Sequence, residues 1–117
     1  MLLLVAIGVE GLKEKYRINE PIEFSIIIKG ILRGNGLQRV KITNEMDAKN
    51  KIYDIAFMTP LPMESPKYTE QVLHFPLDKD RQAPIHAEEP GIYKLTISVN
   101  TDGLDRPHEI DRKFLVE

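Results

Sequence analysis

The sequence contains no cysteine and no tryptophan. Without cysteine the chain forms no disulfide framework, no thiolate metal site and no cysteine nucleophile, which excludes those kinds of stabilisation and catalysis. Without tryptophan it lacks the largest aromatic platform on which a sugar ring stacks. Neither absence assigns a cellular compartment, because larger secreted domains also fold without disulfide bridges.

An excess of charge of one sign is also missing. The 16 Lys and Arg residues face 18 Asp and Glu residues, for a net charge of −2, and the two signs are interspersed along the chain. This balance argues against a nucleic-acid partner. At 117 residues, 42% of them hydrophobic, the chain is long enough for one core and too short for two. The sequence therefore predicts a single domain over 1–117.

The opening apolar run, residues 1–9, is too short to span a bilayer. It has no positive residue before it and no small-x-small cleavage site after it, so a signal peptide is not favoured. We predict a first β-strand here and no membrane insertion of the chain as given. An excised domain with its leader or anchor upstream is a second interpretation of the same run.

Apolar and polar side chains alternate with period two in short segments, and no segment has apolar residues at helical spacing. In 91–99 one face carries Tyr93, Leu95, Ile97 and Val99, and in 22–29 only Ile27 interrupts the polar face. Further strands are predicted at 37–43, at 51–58, at 68–77 and within 108–116. The pattern predicts an all-β, antiparallel two-sheet sandwich of about seven or eight strands.

Turn-forming residues separate these segments. We predict a polar connection at 13–21, in which Asn19 takes a left-handed backbone conformation. We also predict a hairpin turn at 34–36 and a polar turn at 44–50, followed by a long connection over 78–90.

Two segments resemble immunoglobulin-like β-sandwich modules of the bacterial and archaeal kind, macroglobulin- or fibronectin-III-like. Residues 89–95, EPGIYKL, are similar to the signature at the entry to strand F, and residues 16–24, YRINEPIEF, resemble the opening of strand B. The resemblance implies that the Tyr93 ring packs in the core while its hydroxyl bonds to nearby backbone. It also implies that Leu95 stands where antibody domains place a cysteine, so that apolar packing against Phe24 or Ile26 fills that space.

No residues in the sequence form a recognisable catalytic or metal-binding motif. The histidines are far apart, and no serine lies in a Gly-x-Ser-x-Gly elbow. These residues are His74, His86, His108, Ser25, Ser65 and Ser98. Acidic clusters at 78–80 and 100–105 could supply oxygen ligands to a weak calcium site, but a role in turns is favoured. We predict no catalytic residue, no cofactor and no metal, and so no enzyme.

The most distinctive loop is 58–66, in which Leu61 and Met63 lie between prolines. Because proline restricts the backbone, such a loop would lose little entropy on docking to a partner or to a protease. The alternative, which we favour, is that the prolines guard a sheet edge while Leu61 and Met63 pack into the core.

The sequence predicts a non-catalytic module that serves protein–protein interaction or an architectural role, and an extracellular or cell-surface location is favoured. Its partner would be another protein, a neighbouring domain or a second copy of the chain. Its site would lie where loops 31–35, 59–66 and 101–107 meet, with Leu61, Met63, Arg33 and Arg106 as the binding residues. The alternative function is a protease inhibitor that uses 59–66. Strand-edge pairing is a competing binding mode, and Ile27 is a candidate contact.

Overall fold

The computed structural model describes residues 5–32, 37–57, 67–77, 83–99 and 108–117. These residues form eight strands and no helix. The strands are β1 (Val5–Glu10), β2 (Lys15–Tyr16), β3 (Phe24–Leu32), β4 (Leu37–Asn44), β5 (Asp47–Ala56), β6 (Lys67–Phe75), β7 (Gly91–Val99) and β8 (His108–Val116). No helix long and apolar enough to cross a membrane is found among the described residues.

The strands form two sheets, with the orders β1-β3-β6 and β2-β8-β7-β4-β5. The all-β prediction with two sheets is therefore confirmed. Neighbouring strands are antiparallel except β2 and β8, which are parallel. The fully antiparallel prediction was wrong at this pair, because a strand of only two residues leaves no alternation in the sequence.

One hydrophobic core takes side chains from both sheets. Ile26 and Ile28 of β3 and Leu95 and Ile97 of β7 are completely buried. Their alternate neighbours point outward, as the period of two requires. Burying a side chain of this size contributes about 1.5–3 kcal/mol relative to leaving it exposed, so these central strands carry much of the stability.

The first strand changes sheets. β1 pairs with β3 in one sheet, and β2 pairs with β8 in the other, with Gly11 at φ 81° between them. The predicted polar connection at 13–21 therefore contains β2, although Asn19 has φ 64° as expected. The predicted strand in the opening run begins at Val5, and residues 1–4 lie outside the described residues.

Two predicted turns need correction. β3 and β4 belong to different sheets, so they do not form the hairpin predicted at 34–36. The turn predicted at 44–50 is shorter, because β5 already begins at Asp47. There the Asn44 side-chain oxygen accepts the Met46 N–H at 2.9 Å and closes a tight connection.

Candidate interaction surface

The predicted binding residues Arg33, Leu61, Met63 and Arg106 all lie outside the described residues. The acidic clusters at 78–80 and 100–105 lie outside them as well. The protease-inhibitor hypothesis, which depends on 59–66, therefore stays a prediction.

An apolar row crosses the outward face of the sheet β1-β3-β6, which we call the three-stranded face. The register places Gly8 of β1 beside Ile27 of β3, and Ile27 beside Val72 of β6. Val72 is 52% exposed, and Ile27 is partly exposed. The Ile27 that interrupts the polar face of its strand in the sequence thus has an apolar neighbour on β6.

Polar rows border the apolar row on both sides. On one side Lys29 lies opposite Glu70, and beyond them Tyr68 is 64% exposed and donates its hydroxyl hydrogen to Glu70 at 2.6 Å. On the other side Ser25 lies between Glu10 and His74. The face therefore has an apolar centre and a polar rim, which is the usual anatomy of a protein interface.

A cleft of about 680 Å³ opens at the Ser25 end of this face. Its lining residues are Glu10, Gly11, Glu23, Phe24, Ser25, His74, Phe75, Pro76 and Leu77. The cleft thus combines two carboxyl groups with apolar walls that continue from the core to the surface.

Ser25 and His74 are joined across strands, with Oγ and Nδ1 2.6 Å apart. A serine nucleophile needs such a neighbouring base, and the base needs a third group to orient it. In the described part of the chain no acid hydrogen-bonds to the His74 ring. We therefore interpret the pair as a cross-strand contact that stabilises the sheet. Nor do three His, Asp or Glu side chains come together as a metal site anywhere among the described residues.

The outward face of the other sheet is polar, and toward one end of it the charges are sorted by strand. β8 presents Glu109 and Asp111, while β4 presents Arg39 and Lys41. Between them β7 presents Ser98 and Thr96, which are only 7% and 6% exposed although they point away from the core. We call the outward side of this five-stranded sheet, over β8, β7, β4 and β5, the five-stranded face.

Hydrogen bonds hold several of these charged groups in place. Thr96 Oγ1 donates to Asp111 at 3.0 Å, and Ser98 Oγ donates to Glu109 at 3.2 Å. Arg39 forms a two-pronged ion pair with Asp54 of β5, at 2.8 and 2.5 Å. The guanidinium hydrogen bonds lower the pKa of Asp54 below its ordinary value.

Sequence reasoning identified Ile27 and predicted the strands at 37–43 and within 108–116, but it missed Val72 and the opposite charges of those two strands. Alternation in 68–77 was visible and places Val72 on the outward side. What it could not supply is which strands are neighbours, and without the register a charge on β8 cannot be related to one on β4.

No family model matches the chain, and no curated protein matches it. Among solved structures it is similar to a mutant β-glucosidase from Listeria innocua in complex with laminaribiose, at 9% identity and a TM-score of 0.45, over 98% of this chain and 16% of that one. A β-glucosidase from Listeria innocua in complex with isofagomine gives 9% identity and a TM-score of 0.44, over 97% of this chain and 16% of that one. This chain thus spans 16% of the length of either enzyme, and at these TM-scores the likeness carries no argument about fold or function.

Proposed function

We propose that the chain is a non-catalytic immunoglobulin-like β-sandwich domain that binds a protein partner through the three-stranded face. Three features support the fold. The first strand is divided between two sheets, β8, β7 and β4 are consecutive neighbours, and the Tyr93 hydroxyl donates to the Glu89 carbonyl at 2.9 Å. That hydrogen bond is the corner contact that the resemblance in 89–95 implies.

The apolar row carries the functional part of the proposal. Ile27 and Val72 are adjacent on the solvent side of a sheet whose other side supplies the core. Isolated apolar side chains are normal on protein surfaces, but adjacent ones rimmed by polar groups are typical of interaction sites. Burying Val72 and the Tyr68 ring against a partner would remove apolar surface from water, which is the main driving force of association.

The cleft forms a concave surface next to the apolar row. Its apolar wall includes Leu77, which is exposed, and its polar edge carries Glu10. A partner side chain that is apolar along its length and basic at its tip fits this combination. The row and the cleft together form one continuous surface at the Ser25 end of the sheet.

The test places a photo-crosslinking amino acid at position 72 and, as the control, at position 46. Met46 is 89% exposed in the turn between β4 and β5, far from the three-stranded face. In cells of the source organism we expect one discrete heavier adduct from position 72 and none from position 46. Adding Ile27→Lys should abolish the adduct.

Ile27→Lys must leave the domain folded for this result to count. Because Ile27 points outward, we expect its unfolding free energy to change by less than about 1 kcal/mol. The same adduct from both positions, or no adduct from position 72, would contradict the proposed binding surface.

A further inference from the structure

Two oppositely charged columns lie on the five-stranded face. The acidic column is Glu109 and Asp111 on β8, and the basic column is Arg39 and Lys41 on β4. Each member of one column shares a row with a member of the other. Ser98 is opposite both Glu109 and Arg39, and Thr96 is opposite both Asp111 and Lys41.

The columns do not neutralise each other within one chain. They lie on strands separated by β7, and among the described residues no ion pair joins Glu109 or Asp111 to Arg39 or Lys41. The acidic column accepts hydrogen bonds from neutral hydroxyl groups instead. Within the described part of the chain Lys41 forms no ion pair, and Arg39 uses two of its five N–H donors on Asp54.

We propose that two copies of this chain pack through their five-stranded faces, about a two-fold axis that runs parallel to β7 between them. This rotation keeps the Ser98 and Thr96 rows of the two copies aligned and reverses the order of the strands in the second copy. It sets β8 of one copy over β4 of the other, so Glu109 meets the second copy's Arg39 and Asp111 meets its Lys41. Symmetry repeats both contacts, and the interface gains four ion pairs that one chain alone does not form.

The direction of the axis follows from the charges. A two-fold axis perpendicular to the strands would set β8 over β8 and β4 over β4. Centred on the Thr96 row, it would place Asp111 against Asp111 and Lys41 against Lys41, which is repulsive. Of these two axes, only the one parallel to β7 sets the acidic column against the basic column.

Short side chains at the centre are compatible with this arrangement. Ser98 and Thr96 are short, so they do not hold the two faces apart. Lys94 and Lys113 lie side by side on β7 and β8 at the far end of the face, where Lys113 forms an ion pair with Glu45 at 2.6 Å. The rotation also brings Lys94 over the second copy's Lys94, a repulsion that the four ion pairs must outweigh.

The available area predicts a weak dimer. Rotation about β7 overlays only β8, β7 and β4, and three strands of about nine residues cover roughly 14 by 30 Å, or about 430 Å² per copy. The pair then buries about 860 Å², which is below the usual range of specific interfaces. We expect weak, high-micromolar self-association that weakens further as salt screens the exposed charges.

This inference goes beyond the proposed partner site and does not depend on it. Dimerisation through the five-stranded face would leave the three-stranded face of each copy exposed. Self-association is measured on the purified chain alone, whereas the crosslink from position 72 reports another protein. Either result can fail without the other.

The test is sedimentation velocity of the full chain from low-micromolar to several hundred micromolar concentration. Asp111→Lys places two lysines opposite each other in each contact, and Lys41→Asp places two carboxylates there. Each variant alone should self-associate at least about tenfold more weakly than the unchanged chain. An equimolar mixture of the two should dimerise again, because every cross-contact is then attractive.

Controls of matched charge are Glu88→Lys and Lys49→Asp, which lie outside both columns and should leave self-association unchanged. All four variants should show a cooperative thermal transition, which establishes that they fold. A chain that stays monomeric at every concentration would overturn the proposal. So would a dimer insensitive to both column variants, or folded variants whose mixture fails to associate.

Discussion

The Tyr93 hydroxyl donates a hydrogen bond to the backbone carbonyl of Glu89 at 2.9 Å, while the Tyr93 ring is fully buried and stacks on Phe114. This contact ties the start of β7 to the segment before it. We expect Tyr93→Phe to keep the ring packing and lose only this bond. The unfolding free energy should fall by about 1–2 kcal/mol, as measured by urea denaturation.

The same substitution at Tyr53 should change the unfolding free energy in the opposite direction. The Tyr53 hydroxyl is buried and has no hydrogen-bond partner among the described residues, and burial raises the pKa of the phenol. Its ring packs edge-on against Phe75 across the two sheets. Tyr53→Phe should keep that contact, remove the desolvation cost and stabilise the domain by up to about 1 kcal/mol. A loss of stability equal to that of Tyr93→Phe would show that Tyr53 has a partner after all.

Gly91 should resist substitution by alanine. Its φ of 148° is rare for residues with a side chain, and an added Cβ would lie 3.1 Å from the amide nitrogen of the buried Asn44. Gly91→Ala should therefore cost about 1–3 kcal/mol in unfolding free energy. Gly8→Ala is the control, because the new Cβ would contact Ile27 at an ordinary 3.8 Å. We expect it to change stability by no more than about 0.5 kcal/mol in either direction.

Acid should destabilise the domain partly through Asp54. Hydrogen bonds from Arg39 lower the pKa of this carboxyl below its ordinary 3.8. A carboxyl whose pKa is lower in the folded state contributes stability above its unfolded pKa, and loses it as pH falls through the folded value. Between about pH 5 and pH 2 the unchanged chain should lose more stability than Asp54→Asn, by at most about 1 kcal/mol for an exposed pair.

Arg39→Gln provides the matched test of that cause. It removes the guanidinium and keeps the carboxyl, with Lys51 Nζ still 3.5 Å from Asp54, so it should flatten most of the acid dependence that Asp54→Asn removes. If the unchanged chain and both variants lose stability in parallel, the ion pair does not contribute to acid unfolding.

The sequence predicted the strands that are buried on one side. It missed the features that depend on which strands pair with each other. Alternation in 91–99 located β7 at its observed bounds, because each inward side chain of that strand enters the core. β2 was missed because two residues carry no period. The error at 34–36 arose because glycine and asparagine signal a turn without indicating whether the next strand joins the same sheet.

The candidate surfaces show the same limit. Ile27 was visible as an exception within its own strand, but its neighbour Val72 lies 45 residues away and is brought beside it only by the register of β3 and β6. The charge columns of β8 and β4 are likewise properties of the sheet, so no single segment predicts them.

The sheet-switching first strand also affects how the domain would respond to mechanical force. β2 runs parallel to the end of β8, where Leu115 N–H donates to Glu14 and Glu117 N–H donates to Tyr16, at 2.9 and 3.0 Å. Pulling the two chain ends in opposite directions loads these hydrogen bonds together, in shear, whereas an antiparallel pair at that position would open one bond at a time. Tension along the chain would therefore act on the β1–β3 hydrogen bonds and then on this short parallel pair before it reaches the core.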